Sequence, residues 1–305
     1  MSEIISTSAV TVALISTGTT IALFIVKGIC TPFWNKYFLK YKIKVEHDYE
    51  QKKKIKEAIS KHKMPLLDSA ESLNHRLWNF SGNCIKGWHN FSDTDILNDK
   101  YYLQSFCYRF LAFYAWCIKF ERELIYLDVT LSEKNDLFFV KYIKTMQNVF
   151  CDASMLNGTG YDNEQATDHF FKDELISMVE NMYSETGVIT FLEFKENKNM
   201  NYEGVRIYIS KIMNDKSCNK WQLVNCFHYI LMAFLSKYGY DYQKTGLFKL
   251  FKLHRAEPKN KLINNFKLLV SNAKLNKCNE IKKTIAILEC KSIRANVCSI
   301  LKLIK

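Results

Sequence analysis

The chain contains few of the residues that form turns, with ten glycines and three prolines among 305 residues. All-β folds and repeated βαβ units need many more turn residues, so both classes are disfavoured. Hydrophobic residues make up 48% of the composition, which excludes an intrinsically disordered chain. The composition therefore predicts an all-α protein that is long enough to bury a substantial core.

The chain also lacks the short motifs that mark common catalytic and metal sites. It contains no H-E-x-x-H, G-x-S-x-G or Walker A arrangement, and its ten cysteines form no C-x-x-C pair. We expect the cysteines to be reduced, buried thiols. The alternative, a zinc site at Cys218, Cys226 and His228, lacks a second pair of ligands at a usual spacing. We predict no cofactor and no metal, and we favour a non-enzymatic role while leaving an undetected catalytic site open.

Charge is distributed unevenly along the chain. Residues 4–26 carry no charge, and residues 27–63 hold eleven lysines and four acids. The middle of the chain, residues 64–243, holds 17 basic and 23 acidic residues, whereas residues 244–305 hold 15 basic and three acidic residues. A nucleic-acid-binding protein that is basic throughout should not show this pattern, but basic segments beside a membrane anchor should.

The charge-free stretch from Ile4 to Val26 is long enough to cross a bilayer. As a helix its 23 residues span about 34 Å, against a hydrocarbon core of about 30 Å. Lysines follow the stretch rather than precede it. The positive-inside rule therefore predicts that the N-terminus lies outside and the C-terminal domain lies in the cytoplasm. The expected protein is a single-pass protein of the cell (inner) membrane. The alternatives are a buried helix of a soluble protein and a signal peptide, although the stretch lacks an N-terminal basic region and a clear cleavage site.

The segment after the span has the composition of a membrane interface. Aromatic residues alternate with lysines at helical spacing after a short break predicted at Pro32, and the interfacial residues are Phe33, Trp34, Lys36, Tyr37, Phe38, Lys40 and Tyr41. Amphipathic aromatic rings and lysine stems both favour the headgroup zone. Residues 43–63 are highly charged and predict a solvated helical stalk.

From Pro65, which we place in a first helical turn, the pattern is that of amphipathic helices. The aromatic run from Tyr101 to Leu127 predicts the core helix of the domain, and the apolar run Leu223–Leu235 suits a buried core helix better than a second span. Residues 188–194 and 205–209 are rich in β-branched and aromatic residues, so one small β-hairpin is compatible with the pattern. The predicted fold is thus a transmembrane helix followed by a cytosolic helical bundle.

Two sets of charged residues in this body are candidate sites. The first set is Arg76, Glu121, Arg122 and Glu123, which lie within apolar helices, where charges need partners. We predict an ion pair of Arg76 with Glu121 or Glu123, with an anion site as the alternative.

The second set is a group of lysines in the basic C-terminal third that could bind an anionic partner. Its members are Lys259, Lys261, Lys267, Lys282 and Lys283. Such lysines could contact anionic lipid or nucleic acid, or they could be solvated helix faces.

Three segments of the body carry a resemblance to known sequences: PLLDSAESLNHRLWNF at 65–80, FLAFYAWCIKFERELIYLDV at 110–129 and FFKDELISMVENM at 170–182. With these segments the chain resembles an uncharacterised family of bacterial proteins that have an N-terminal membrane span and a helical cytosolic domain. The resemblance implies the same architecture here and brings no activity, and the residues after about 275 extend beyond it.

Together these patterns predict four regions: an anchor (1–27), an interfacial segment with a charged stalk (28–63), a cytosolic helical domain (64–275) and a basic C-terminal helix (276–305). The expected function is that of a membrane-tethered sensor, scaffold or effector, for example in bacterial stress or phage defence. The alternative is a membrane-tethered accessory protein that binds nucleic acid or a nucleotide through its basic C-terminal region. Membrane lipid, a protein partner such as a second copy of the chain, and nucleic acid are the expected partners.

Overall fold

A computed structural model of the chain describes residues 2–83, 100–162, 164, 167–185, 187–197, 200–214, 218–256 and 260–289. These residues are mainly helical and contain one two-stranded sheet, so the predicted all-α class with a small hairpin is confirmed. The chain divides into two compact units, Met1–Lys54 and Ile55–Lys305.

The first unit contains helix α1 (Ser2–Ile25), a π-helical turn (Val26–Cys30) and the beginning of helix α2 (Thr31–Asn83). The helical stretch from Thr7 to Gly82 includes a part that is apolar enough to cross a membrane, by length and composition. The break predicted at Pro32 does not occur. Pro32 is the second residue of α2 and follows directly on the π-helical turn, so the chain stays helical through it.

The second unit consists of the rest of α2 and shorter elements. In chain order these are α3 (Tyr101–Leu124), α4 (Lys134–Cys151), α5 (Lys172–Glu180), β1 (Tyr183–Ser184), β2 (Gly187–Val188), α6 (Phe191–Glu196), α7 (Glu203–Asn214), α8 (Asn219–Tyr238), α9 (Leu247–Ala256), α10 (Ile263–Asn272) and α11 (Asn279–Glu289). Short 3₁₀ turns lie at Val129–Leu131, Ala153–Leu156 and Leu275–Lys277.

Helix α2 departs from the sequence prediction at two points. Pro65 lies inside the helix rather than in a first turn, so the predicted stalk and the first helix of the body are one continuous helix. The body also begins earlier than residue 64, because Ile55, Ala58 and Ile59 are buried. These three apolar residues recur at helical spacing among the charges of the predicted stalk, and they add a turn and more of α2 to the core.

The core of the second unit is built around helices α3 and α8. The predicted core helix is confirmed, since Phe106, Phe110, Phe113 and Phe120 of α3 are all buried. Helix α8 is buried along almost its whole length, as expected for a core helix, and it packs against α4, α7 and α11. Phe227 connects α8 to α3, because its ring centroid lies 5.8 Å from that of Phe113.

The hairpin lies at a different position from the one predicted. Strands β1 and β2 pair antiparallel, with Tyr183 opposite Val188 and Ser184 opposite Gly187. Residues 205–209 are helical instead and form part of α7. The buried residues of α7 explain the difference, because their spacing is that of a helix and not of a strand: they are Val205, Tyr208, Ile209 and Ile212.

Candidate ligand-binding groove

A groove of about 590 Å³ opens between helices α3, α4 and α5. We call it the α3–α4 groove. It is lined by the last two turns of α3 and the segment up to Val129, by Val140–Asn148 of α4, and by Lys172 and Ile176 of α5. Its volume lies within the range of roughly 300–1,000 Å³ that is typical of small-molecule sites.

The walls of the groove are apolar and its charged residues are mostly basic. Ile118, Leu124 and Val140 supply apolar surface, and Arg122, Lys144 and Lys172 supply cations; Glu121 is an acid in the same lining. This combination suits a ligand that has an apolar part and a negative charge.

Arg122 differs from the two lysines because it has a partner. Its Nη2 donates a 2.6 Å hydrogen bond to Glu180 Oε1, and its guanidinium lies 5.8 Å from the ring centroid of Tyr183. Lys144 and Lys172 form no ion pair with any residue that the structure describes. The two lysines are therefore the cations of the groove that remain available to an anion.

Gln147 is the most unusual polar group in the lining. The residue is only 5% exposed, and its Nε2 is buried without a hydrogen-bond acceptor. A buried unsatisfied donor costs about 1–3 kcal/mol, so most buried polar groups have a hydrogen-bond partner. An acceptor atom of a bound ligand would satisfy it.

The structure does not pair Arg76 with Glu121 or Glu123. Arg76 is buried, its Nη2 donates a 2.6 Å hydrogen bond to Ser105 Oγ, and its guanidinium lies 4.4 Å from the ring centroid of Tyr102. The predicted pairing fails because Arg76 faces the first turn of α3, whereas both glutamates lie at the other end of that helix. The four charged residues singled out by sequence therefore do not form one cluster.

Glu123 instead joins α3 to α2. It accepts a 3.0 Å hydrogen bond from Lys61 Nζ and contacts Nε2 of His62, which is buried. Burial acts to raise the pKa of Glu123, but the hydrogen bonds from His62 and Lys61 outweigh it and hold the pKa below its usual value. Glu123 is thus a structural carboxylate, and of the predicted set only Glu121 and Arg122 line the groove.

Sequence reasoning missed Lys144, Gln147 and Asn148. Their spacing of three and four residues places them on one strip of the second half of α4, and this strip was the available signal. Lys172 could not have been found, because its place in the lining depends on how α5 packs against α3.

The predicted lysines of the C-terminal third differ in their surroundings. Lys259 lies outside the described residues, and Lys267 forms a 2.7 Å ion pair with Glu289. Lys261 and Lys282 are exposed and Lys283 is half-buried. Binding of an anionic partner by this region stays a prediction.

The three residues considered as an alternative zinc site each have another contact in the structure. Cys218 Sγ accepts the backbone N–H of Trp221 at the start of α8, Cys226 Sγ lies 3.6 Å from Asn260 Nδ2, and His228 is hydrogen-bonded to Asn74. Within the part of the chain that the structure describes, no three His, Cys, Asp or Glu residues are arranged to hold a metal ion.

The predicted interfacial residues belong to the first unit. All seven are exposed, and the aromatic ones are between 57% and 74% exposed: Phe33, Trp34, Tyr37, Phe38 and Tyr41. An exposed aromatic row of this kind needs a covering partner, and the headgroup zone is one that fits.

Comparison of the chain with protein-family profiles, with curated proteins and with solved structures yields no match.

Proposed function

We propose that the chain is a single-pass membrane protein whose cytoplasmic helical body acts as a sensor, binding a small anionic molecule with an apolar part in the α3–α4 groove. The observation that carries the proposal is helix α1. It holds 24 residues with Glu3 as its one charged residue, and its described side chains are exposed, including Leu14, Ile15 and Phe24.

The polar side chains of α1 support a place in the bilayer. Thr17 donates a 2.7 Å hydrogen bond to the Ala13 carbonyl, and Thr20 donates a 2.8 Å bond to the Ser16 carbonyl. Hydroxyls that are satisfied within their own helix need no water, so they can be buried in lipid at little cost. The core helix of a soluble protein has its apolar side chains buried, whereas none of the apolar window in this helical stretch is buried.

The charges around the span support the proposed orientation and location. Eleven lysines lie in residues 27–63, against one acidic residue before the span, so the positive-inside rule favours a cytoplasmic body and an external N-terminus in the inner membrane. The exposed aromatic row from Phe33 to Tyr41 fits the cytoplasmic headgroup zone.

A sensor is favoured over a scaffold or an effector because the body contains a groove of ligand size with an unsatisfied donor. Gln147 Nε2, Lys144 and Lys172 together offer one neutral and two charged donors beside apolar walls. An acceptor atom of a bound anion would satisfy the Gln147 amide, which supports a ligand-binding role.

Carbonate extraction of membranes tests the anchor. The full chain should stay in the membrane, whereas the variant Ile15→Lys/Ile21→Lys should be extracted, because each lysine at the centre of a span costs about 3 kcal/mol of insertion energy. Tyr126→Lys/Phe248→Lys is the matched control, since it adds two lysines at exposed positions of the body. Extraction of the unaltered chain would remove the tether from the proposal.

Thermal unfolding of the full chain with added hexanoate, a soluble anion with a short apolar chain, tests the groove. Hexanoate that binds the folded protein should raise its unfolding temperature, and the increase should grow with hexanoate concentration. The double variant Lys144→Gln/Lys172→Gln should show no such increase. Lys195→Gln/Lys249→Gln, which removes two exposed lysines elsewhere in the body, should keep it. An equal shift in both double variants would show that hexanoate does not bind in the groove.

A further inference from the structure

A second, smaller cavity of about 300 Å³ lies apart from the α3–α4 groove, where α4, α8 and the beginning of α11 meet. Lys134, Lys237 and Lys277 line it, together with Phe138 and Glu280. The three lysines come from three different parts of the chain, and only one of them belongs to the basic C-terminal third.

Two further lysines extend this set. Lys141 lies seven residues after Lys134, on the same face of α4, and its Nζ is 5.9 Å from the ring centroid of Phe138. Lys237 Nζ lies 5.4 Å from the same centroid, so two ammonium groups share one aromatic ring. Lys274 lies close enough to Lys141 to act on it electrostatically. We call these five residues the lysine cluster: Lys134, Lys141, Lys237, Lys274 and Lys277.

The lysine cluster holds five ammonium groups, whereas the cavity lining contains one carboxylate, that of Glu280. None of its five members forms an ion pair with a residue in the described ranges. Burial lowers the pKa of Lys141, and the positive charges of Lys274 and Lys277 lower it further. Like charges at this density repel one another, so the unliganded arrangement is electrostatically unfavourable.

The carboxylate in the lining of the cavity is engaged elsewhere. Glu280 Oε2 accepts a 2.8 Å hydrogen bond from Cys278 Sγ, and that sulfur also lies 3.2 Å from the hydroxyl oxygen of Tyr142. Glu280 therefore forms no ion pair with the three lysines of the lining, whose positive charges outnumber its single negative charge. The cavity also lies where α4 begins at Lys134 and where α11 begins at Asn279, and the positive ends of the two helix dipoles add to the field of the lysines.

We propose that the lysine cluster binds a phosphate group. A phosphate carries up to two negative charges and several acceptor oxygens, which match several ammonium donors that lack acceptors. The phosphate belongs either to a lipid headgroup or to a soluble compound, and the chemistry of recognition is the same for both. The proposal uses neither helix α1 nor the α3–α4 groove, so it can stand if the proposed function fails and can fail if that function stands.

Isothermal titration with pyrophosphate tests the site in the full chain, held in neutral maltoside micelles at low salt. The unaltered protein should bind pyrophosphate, and Lys134→Gln/Lys277→Gln should weaken binding about tenfold or more, since each lost charge-assisted contact contributes substantially to affinity. Lys249→Gln/Lys252→Gln is the matched control, because it removes two lysines of α9 that do not line the cavity. The control should bind like the unaltered protein.

Lysine acetylation read by mass spectrometry separates the two sources of phosphate. In phosphatidylcholine nanodiscs, added pyrophosphate should protect Lys134, Lys237 and Lys277 if the ligand is soluble. In nanodiscs that contain phosphatidic acid, the same lysines should be protected without added pyrophosphate if the ligand is a headgroup. Either pattern supports the proposal, provided that Lys249 and Lys252 remain reactive.

Two results would overturn the proposal. One is the absence of pyrophosphate binding together with unprotected cluster lysines in both kinds of nanodisc. The other is an equal loss of binding in the cluster and control variants, which would show diffuse attraction to a basic protein rather than a site.

Discussion

The imidazole of His228 is hydrogen-bonded to the side chain of Asn74, with Nε2 of the histidine 2.9 Å from Oδ1 of the asparagine. The bond joins α8 to α2 inside the second unit, and His228 is only 1% exposed. Burial lowers the pKa of His228 to about 3. The histidine is therefore neutral in the folded protein, and Nε2 donates to the amide oxygen.

This relationship predicts a loss of stability in acid. In the unfolded chain a histidine has a pKa of about 6.5, so between pH 6.5 and 3 the unfolded state binds a proton that the folded state excludes. Stability from this group is complete above pH 6.5 and falls by about 1.4 kcal/mol per pH unit below it, or about 2 kcal/mol at pH 5.

Urea unfolding of the full chain at pH 7.5 and pH 5.0, followed by tryptophan fluorescence, checks this prediction. His228→Gln keeps a donor for Asn74 but cannot titrate. Between pH 7.5 and pH 5.0 the free energy of unfolding of this variant should therefore fall by about 2 kcal/mol less than that of the unaltered protein. The remaining titratable groups are common to both proteins and cancel in the difference. Identical pH dependence in the two proteins would mean that His228 is not held neutral.

Gln147→Met should stabilise the protein in the absence of ligand. The buried Nε2 has no acceptor, and methionine has a similar length and volume without a polar atom. We expect the free energy of unfolding to rise by about 1–2 kcal/mol and hexanoate binding to weaken. Gln104→Met serves as the comparison. Gln104 is also buried, but its side chain has no buried polar atom that lacks a hydrogen-bond partner. A lower stability of Gln147→Met would indicate that the amide has a partner after all.

Thr190→Ala should weaken the beginning of α6. The Thr190 hydroxyl accepts the backbone N–H of Glu193, and the Glu193 carboxylate accepts the backbone N–H of Thr190, which together form a capping box. Loss of the hydroxyl should cost about 1 kcal/mol of stability, and Thr190→Ser should restore most of it. Chemical denaturation of the three proteins measures the difference, and equal stabilities of the alanine and serine variants would contradict the capping role.

Gly187→Ala should destabilise the hairpin. Gly187 has a φ of 153°, which side-chain-bearing residues rarely adopt, and a Cβ atom there would lie 3.2 Å from Cη2 of Trp116. We expect a loss of about 1–3 kcal/mol. Gly82→Ala is the matched control, because no atom lies within 4 Å of its added Cβ and its helical backbone favours alanine. Thermal unfolding should therefore separate the two substitutions, and equal effects would refute the argument.

Local patterns predicted the helices well and the turns less well. The aromatic run in α3 and the apolar run in α8 could be assigned because their periodicity reflects one continuous buried face. The hairpin was misplaced because β-branched residues at 205–209 fit a buried helix face equally well. The sequence predicts a helix start at Pro65, but α2 continues through it, since packing of the flanking residues outweighs one missing hydrogen bond.

Features that depend on neighbouring residues could be read from the chain alone: the uncharged stretch at residues 4–26, the lysines that follow it, and an all-α body. The partners of the charged groups depend on the tertiary structure. Arg76 is hydrogen-bonded to Ser105 rather than paired with a glutamate, and Lys134, Lys237 and Lys277 line one cavity. Helical periodicity fixes the face of the helix on which a charged residue lies. The partner of that residue depends on which neighbouring helix packs against this face, and contacts between distant segments of the chain determine that packing.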